Sequence, residues 1–308
     1  MAGRGARPVE VTWEDHKKHR DYVVATEGQW VGLLDEHAQH LMVLPPLLSL
    51  DAPETTNVPV SLRATVVVRT PTGEVDPLVD ELFAQGISGA KADAEGRMTL
   101  SLKATRFVVV ARPGIIRAYR ITHVVVSGDG NVPPGEMEIH GTDMLMELNR
   151  HIAWTAPKSI TGKYVRFARD WAGPDNVNTI FKRPRELQDA KMITVADGVT
   201  LGAGRSAEET IRYVIEKSLE TSWRATGIDT VIADPPIVVD PAGPGLESPE
   251  VLVRMTDEQL LDTVAPAAAR AGVRISARMW LPGEPPVEGL KLSAPKIVVR
   301  VEQMQEVK

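Results

Sequence analysis

Short β-branched runs broken by proline and glycine fill most of the chain, the pattern of many strands joined by turns with few helices. Val58 to Arg69 alternates and then turns apolar at Val66-Val67-Val68, before Pro71-Thr72-Gly73 breaks it. Arg97 to Lys103 alternates strictly. Thr105 to Ala111 reads as an apolar strand ended by the turn Arg112-Pro113-Gly114, and Ile115 to Ser127 continues as a long strand. Met137 to His140 is a short strand running into Gly141-Thr142. Between them, Asp76 to Phe83 places Leu78, Val79, Leu82 and Phe83 as a short helix would, with a stop near Gly86.

Helix signals are few but specific. Thr142 predicts a cap for Asp143 to Arg150, with Leu145, Leu148 and Ile152 on one face. Ser206-Ala207-Glu208-Glu209 is a capping box ahead of Ile211, Val214, Ile215 and Leu219. Thr256-Asp257-Glu258-Gln259 is a second, leading Leu260, Leu261, Val264 and Ala268, and Gly272 ends that helix. Val273 to Leu281 and Ile297 to Glu302 then read as strands either side of Pro282 to Pro286. Residues 1–25 differ: Trp13 to Asp21 is charged on nearly every side, with no apolar stripe behind the charge. That segment is expected to be an arm, ordered only against something else.

The fold class that follows is α+β. A β-rich, barrel-like first domain with a short helix, residues 26–157, follows the arm of residues 1–25. A smaller α+β domain, residues 158–308, holds a proline-rich connection at 234–249.

Composition narrows function by exclusion. The 308 residues carry a net charge of −6, which argues against a grip on a phosphate backbone. No apolar run nears the roughly 18–20 residues that span a bilayer, and no secretory signal is readable. With no cysteine, disulfides and thiolate chemistry are absent.

Candidate chemistry is thin. His16 with His19 and His37 with His40 have i, i+3 spacing, but a metal centre needs further ligands, so solvated or hydrogen-bonded histidines are the better reading. Gly202 to Ser206 opens a helix, yet Ala207 stands where a third glycine would be and no lysine follows the turn before Lys217, so it reads as a turn plus cap. Asp35–Glu36 and Glu208–Glu209 are adjacent carboxylates that point apart, and no G-x-S-x-G elbow exists. The six tryptophans are scattered singly, as packing anchors are. No catalytic, cofactor-binding or metal-binding residue is assigned, and no enzyme activity or cofactor is expected.

The order of segments resembles one family. Gln29 to Glu36, a β-rich stretch, Arg117 to Ser127 and then Met137 to Pro157 resemble minor tail proteins of long-tailed actinobacterial phages, of the tail-tip hub or tail-associated-lysin-like family. Gly141, Asp143, Leu145, Trp154 and Pro157 occupy the places of that family's strand-to-helix signature. The helix after a glycine turn, Gly204 to Leu219, and the helix–glycine–strand unit, Asp257 to Trp280, follow in the same order. The arm 1–25 and the insertion Asp51 to Pro59 have no counterpart. The resemblance implies a structural virion protein at the tail tip, a baseplate hub whose homotrimer ring closes the tube. It would contact distal tail, tape-measure and receptor-binding or central fibre proteins and let DNA pass without specific binding, with no membrane span. Larger members carry a C-terminal lytic or receptor-binding module, and their peptidoglycan cleavage is not expected of this chain. Two other readings stand beside it: a distal tail or adsorption protein that binds host-surface carbohydrate, and a cell-wall hydrolase whose acids converge only in the fold.

Overall fold

The computed structural model describes residues 13–84, 105–126, 134–155, 161–169, 180–191, 199–202 and 204–305. The chain is α+β and divides into two compact units, one of residues 1–146 with 277–297 and one of residues 147–276 with 298–308. The boundaries expected at residues 25 and 157 do not coincide with that division.

The first unit is built on an antiparallel sheet of seven strands. They are β1 (Trp30–Leu34), β2 (His40–Val43), β3 (Leu47–Asp51), β4 (Ser61–Val67), β5 (Phe107–Arg112), β6 (Ile115–Val126) and β7 (Glu136–Asp143), in the order β2-β1-β5-β6-β7-β4-β3. Strand β4 buries Leu62, Ala64 and Val66 in alternation, as its sequence predicts. Strand β1, and β5 up to its exposed last residue Arg112, are apolar because both of their faces are covered. Val31, Leu33, Val108 and Val110 join one core with Leu62, Val66 and Ile139, while Trp30, Leu34, Phe107 and Val109 join a second. Gly32 makes room within β1: a Cβ there would lie 2.2 Å from the Trp30 ring. The β5–β6 turn is Pro113-Gly114, with Gly114 at φ 73°, the residues a type II turn uses.

The barrel-like expectation is corrected: the sheet is not closed. Among the described residues, strands β2 and β3 are its two edges, and each pairs on one side only. Yet they are consecutive in sequence, linked by Leu44-Pro45-Pro46, a span of at most roughly 14 Å. The Leu44 amide still bonds Val31 on the β1 side, and Pro46 accepts from Val67 on the β4 side. The sheet therefore rolls its edges toward each other, and two prolines without N–H groups stand where a closing ladder would need donors.

The expected helix at 76–83 is present as α2 (Pro77–Val79), capped by the Asp76 side chain, and widens into a π-helical turn over Asp80–Ala84. Its expected stop at Gly86 and the strand expected at 97–103 lie outside the described residues. The segment expected to be an arm is helical where described, α1 (Trp13–Glu27). Trp13, His16, Arg20, Val23 and Val24 recur at helical spacing. Their side packs on the sheet, with Trp13, Val23 and Val24 against the second core. The stripe exists, but its middle members are an imidazole and a guanidinium.

The second unit contains the last three residues of α3 (Met144–Asn149), then α4 (Ala207–Thr226), α5 (Asp229–Ala233) and α6 (Leu260–Ala271). Its strands are β8 (Thr161–Arg169), β9 (Ile180–Lys191), β10 (Val199–Leu201), β11 (Ile237–Val239) and β12 (Val253–Met255). Strand β8 pairs antiparallel with β9, and β10 with β12. Strands β13 (Val273–Trp280) and β14 (Lys296–Gln303) complete a three-stranded sheet, β11-β14-β13. Helix α4 has the capping box predicted at Ser206 and Glu209, and α6 ends at Gly272, φ 71°. Two caps differ from expectation. Asp143, not Thr142, accepts from the Met146 amide at 3.3 Å, because β7 runs on through Asp143. Helix α6 starts only at Leu260, because Asp257, at φ 62°, turns its carboxylate to the Thr155 amide and hydroxyl.

Candidate functional site

An open cleft of about 840 Å³ lies in the first unit. One wall is α1, through Lys17, Arg20, Asp21, Val24 and Ala25. A second is the β5–β6 turn, Ala111 to Ile116, and a third is Arg278 to Trp280 with Gly283 to Pro286. Local structure fixes each wall. Arg20, only 3% exposed, donates through Nη2 to Glu284 Oε1 at 2.5 Å and to Asp21 Oδ1 at 3.2 Å, tying α1 to the 283–286 loop. Lys17 Nζ bonds Asp21 Oδ2 at 2.7 Å. The Trp280 indole N–H donates to the Pro285 carbonyl at 3.0 Å, folding the proline-rich loop back on β13. Arg112 leaves the turn and donates to Gln29 Oε1 at 2.8 Å.

The cleft's floor is apolar and its charge is cationic. Four basic residues, Lys17, Arg20, Arg112 and Arg278, line it with two acids, Asp21 and Glu284. Partial burial pushes the Asp21 carboxyl up, but bonds and charge from Lys17 and Arg20 outweigh this and hold it below the usual carboxylate range. Asp21 therefore stays ionised and is spent on α1's own cations. The arrangement suits binding of a group with both apolar and anionic parts; it does not bring a nucleophile and a base together.

Beside the cleft, on the same helix, His16 is 3% exposed and wedged between aromatic rings. It stacks on His40 at 4.6 Å and meets Trp30 at 5.2 Å and Trp13 at 5.8 Å edge-on. Among the described residues neither imidazole nitrogen has a hydrogen-bond partner, nor have His40 Nε2 and Trp30 Nε1. Burial first, then the charges of His40, Arg20 and His19, lower the His16 pKa to about 4 against the pull of Asp21. His16 is thus a neutral aromatic wedge at neutral pH. Each histidine pair singled out from spacing is split by the fold: His16 and His40 meet, while His19 and His37 face solvent. Among the described residues no three metal-ligating side chains converge.

The other sequence candidates are occupied structurally. Gly202 stands at φ 124° against Val251, where a Cβ would be 2.0 Å from its carbonyl oxygen. The amides that an anion would need there are taken: Gly204 donates to Glu250, Ser206 to Glu209 and Glu208 to the Ser248 hydroxyl. Asp35 closes the β1–β2 turn through the His37 and Gln39 amides, and Glu36 pairs with Arg106. Glu208 pairs with Arg212 and accepts from the Gln303 amide. Of the positions carrying the family resemblance, Gly141 lies in β7, where a Cβ would be 2.8 Å from the Arg120 carbonyl oxygen. The Asp143 carboxyl is pushed up to about 6 by burial, against the backbone amides it accepts. Leu145 is buried, and Trp154 donates to the Ser222 hydroxyl at 3.1 Å in the second unit. Pro157 and Trp171 lie outside the described residues. The cleft itself was missed from sequence, since its walls come from three distant segments and no motif joins them. No family model matches the chain, and no curated protein matches it.

Proposed function

We propose that the chain is a structural protein of a phage tail tip, a hub whose three copies form a ring closing the tail tube. It resides in the virion, contacts neighbouring tail proteins and passes DNA without binding it. The observation that carries this reading is the open seven-stranded sheet. Among the described residues its edges β2 and β3 pair on one side only, and they expose Val43 (45%) and Leu48 (55%). Edge strands present unpaired donors and acceptors that a second chain satisfies, and cyclic symmetry satisfies them without growing a filament. The order of segments that resembles tail hubs supplies the number three. An acidic chain, at −6, suits a lumen through which DNA slides. No helix among the described residues is long and apolar enough to cross a membrane.

Native mass measurement of the purified protein, alone and with tail-tube protein, tests the reading. A trimer is expected, and Val43→Lys with Leu48→Lys should return it to monomer while leaving the sheet's circular dichroism intact. A chain that stays monomeric with its tail partners, or whose assembly ignores both edges, overturns it. A hub is expected to release no muropeptides from host cell walls above the buffer control.

A further inference from the structure

We propose that α1 is an acid-released cover: as pH falls it lifts from the sheet as a unit, while the seven strands beneath it stay folded. The geometry of its seat is the first ground. The His16 ring on α1 and the His40 ring on β2 stack at 4.6 Å, with Trp30 and Trp13 edge-on to His16. Among the described residues His16 Nδ1, His16 Nε2 and His40 Nε2 have no hydrogen-bond partner. A proton arriving on His16 meets no acceptor at the ring, and it meets a cation already in place, since Arg20 is buried on the same helix. The charged and titratable groups that face His16 are His19, Arg20 and Asp21 on α1 and His40 on β2, while β1 contributes only the uncharged Trp30. From the 283–286 loop, Glu284 is bonded to Arg20. Asp21 alone favours the charged imidazole, and its carboxylate is held by Lys17 and Arg20. His40 faces His19, and the Met42 backbone favours its charged form. Burial leads the causes that lower both rings, His16 to about 4. In water an imidazole takes its proton near pH 6.5, so acid favours the state in which α1 has left.

The attachment of the helix is the second ground. Helix α1 joins β1 through Gly28 and Gln29 alone, and Gly28, at φ 81°, has open space around it. The helix adds no strand to the ladder, and the first core takes no member from it. Val31, Leu33, Leu62 and Val66 therefore keep their packing when α1 leaves. The second core loses Trp13, Val23 and Val24, and the cleft loses its α1 wall. Release is thus a local opening and not global unfolding. The open state binds more protons than the closed one between the two pKa values, so the cover is held above about pH 6.5 and loosens as pH falls toward about 4. Each proton taken up on release raises the opening constant up to about tenfold per pH unit. The device works inside a virion or outside one.

The chain has no cysteine, so a single introduced thiol reports the opening without background. Ala111 and Val110 are neighbours on β5, 1% and 3% exposed; Ala111 belongs to the second core and lines the cleft, and Val110 belongs to the first core. The experiment compares Ala111→Cys with Val110→Cys in the full chain. Each is labelled with 4,4′-dithiodipyridine, which reacts with thiols in acid, and its rate is divided by that of the same chain unfolded in urea at the same pH. Labelling at Ala111→Cys is expected to rise about tenfold from pH 6.5 to 5.5, with Val110→Cys unchanged. His16→Phe in the Ala111→Cys chain should flatten that rise, and His16→Gln repeats the measurement with a smaller side chain that cannot take the proton. Circular dichroism at each pH checks that the sheet persists. Labelling of Ala111→Cys that ignores pH, a parallel rise at both cysteines, or a rise that survives both His16 substitutions each overturns the proposal.

Discussion

Helix α6 buries only aliphatic side chains, among them Leu260, Leu261, Val264 and Ala268, whereas the two fully buried residues of α1 are His16 and Arg20. Both helices are ordered, but different physics holds them. Helix α6 gains from removing hydrocarbon from water, a term that salt barely changes. Helix α1 depends on an imidazole kept neutral and on a guanidinium kept paired. A buried cation is tolerable only with its partners in place, so α1 is conditional where α6 is not. The walls of the cleft inherit that condition, because Lys17, Arg20 and Asp21 are α1 residues.

The largest expected effect lies on the aliphatic side of the comparison. Leu261→Ala removes a side chain that is 1% exposed and should cost about 2–5 kcal/mol. Urea unfolding should show the same loss at low and high salt; a strong salt dependence would mean that α6 is not held by hydrocarbon burial. The next effect lies in α1. Glu284→Gln keeps the volume but removes the charge facing Arg20 at 2.5 Å, leaving Asp21 as the remaining carboxylate partner. A charge-assisted bond of this kind is worth about 1.5–3 kcal/mol. Hydrogen exchange should show the loss at α1 amides and not at those of α6. An unchanged α1 would show that the Arg20–Glu284 pair is incidental.

The same contrast explains what the sequence made legible. Strand β4, the Pro113-Gly114 turn, the Ser206–Glu209 box and the Gly272 stop were readable because local chemistry and tertiary packing agree there. The stripe of α1 was hidden because an apolar-only reading discards His16 and Arg20, and their burial depends on Trp30, His40 and Glu284, far away in sequence. Thr256 and Thr142 looked like caps because each precedes a helical pattern. Asp257 and the extension of β7 overrode them through contacts that spacing does not encode. Strands β2 and β3 are short and half exposed, with Pro45-Pro46 between them, so no period marks them as the two edges of one sheet. The cleft had no signature at all, since Lys17, Arg112 and Arg278 become neighbours only through the fold.

The smallest expected effect separates the two units by pH. His16 is lowered from 6.5 to about 4, and His151, which meets Trp223 edge-on at 4.8 Å, is also lowered to about 4, by burial alone. For a base whose folded pKa is depressed, the unfolded chain binds more protons between the two values. Stability is therefore full above about pH 6.5 and is lost as pH falls toward about 4. Around His16 the facing groups are Trp13, His19, Arg20 and Asp21 on α1, Trp30 on β1 and His40 on β2. Of these Asp21 alone favours the charged imidazole, while His40, itself lowered chiefly by burial, adds a second proton acceptor. Hydrogen exchange, corrected for the intrinsic rate at each pH, should show α1 losing protection through this window. His16→Phe keeps an aromatic wedge without nitrogens to protonate or leave unbonded. It should flatten the dependence at α1 while leaving that of the Trp223 end of α4 in place, and His151→Phe should do the reverse. Should α1 lose protection equally in His16→Phe, the imidazole is not the group that makes this helix conditional, and the Arg20 pairing alone carries the difference from α6.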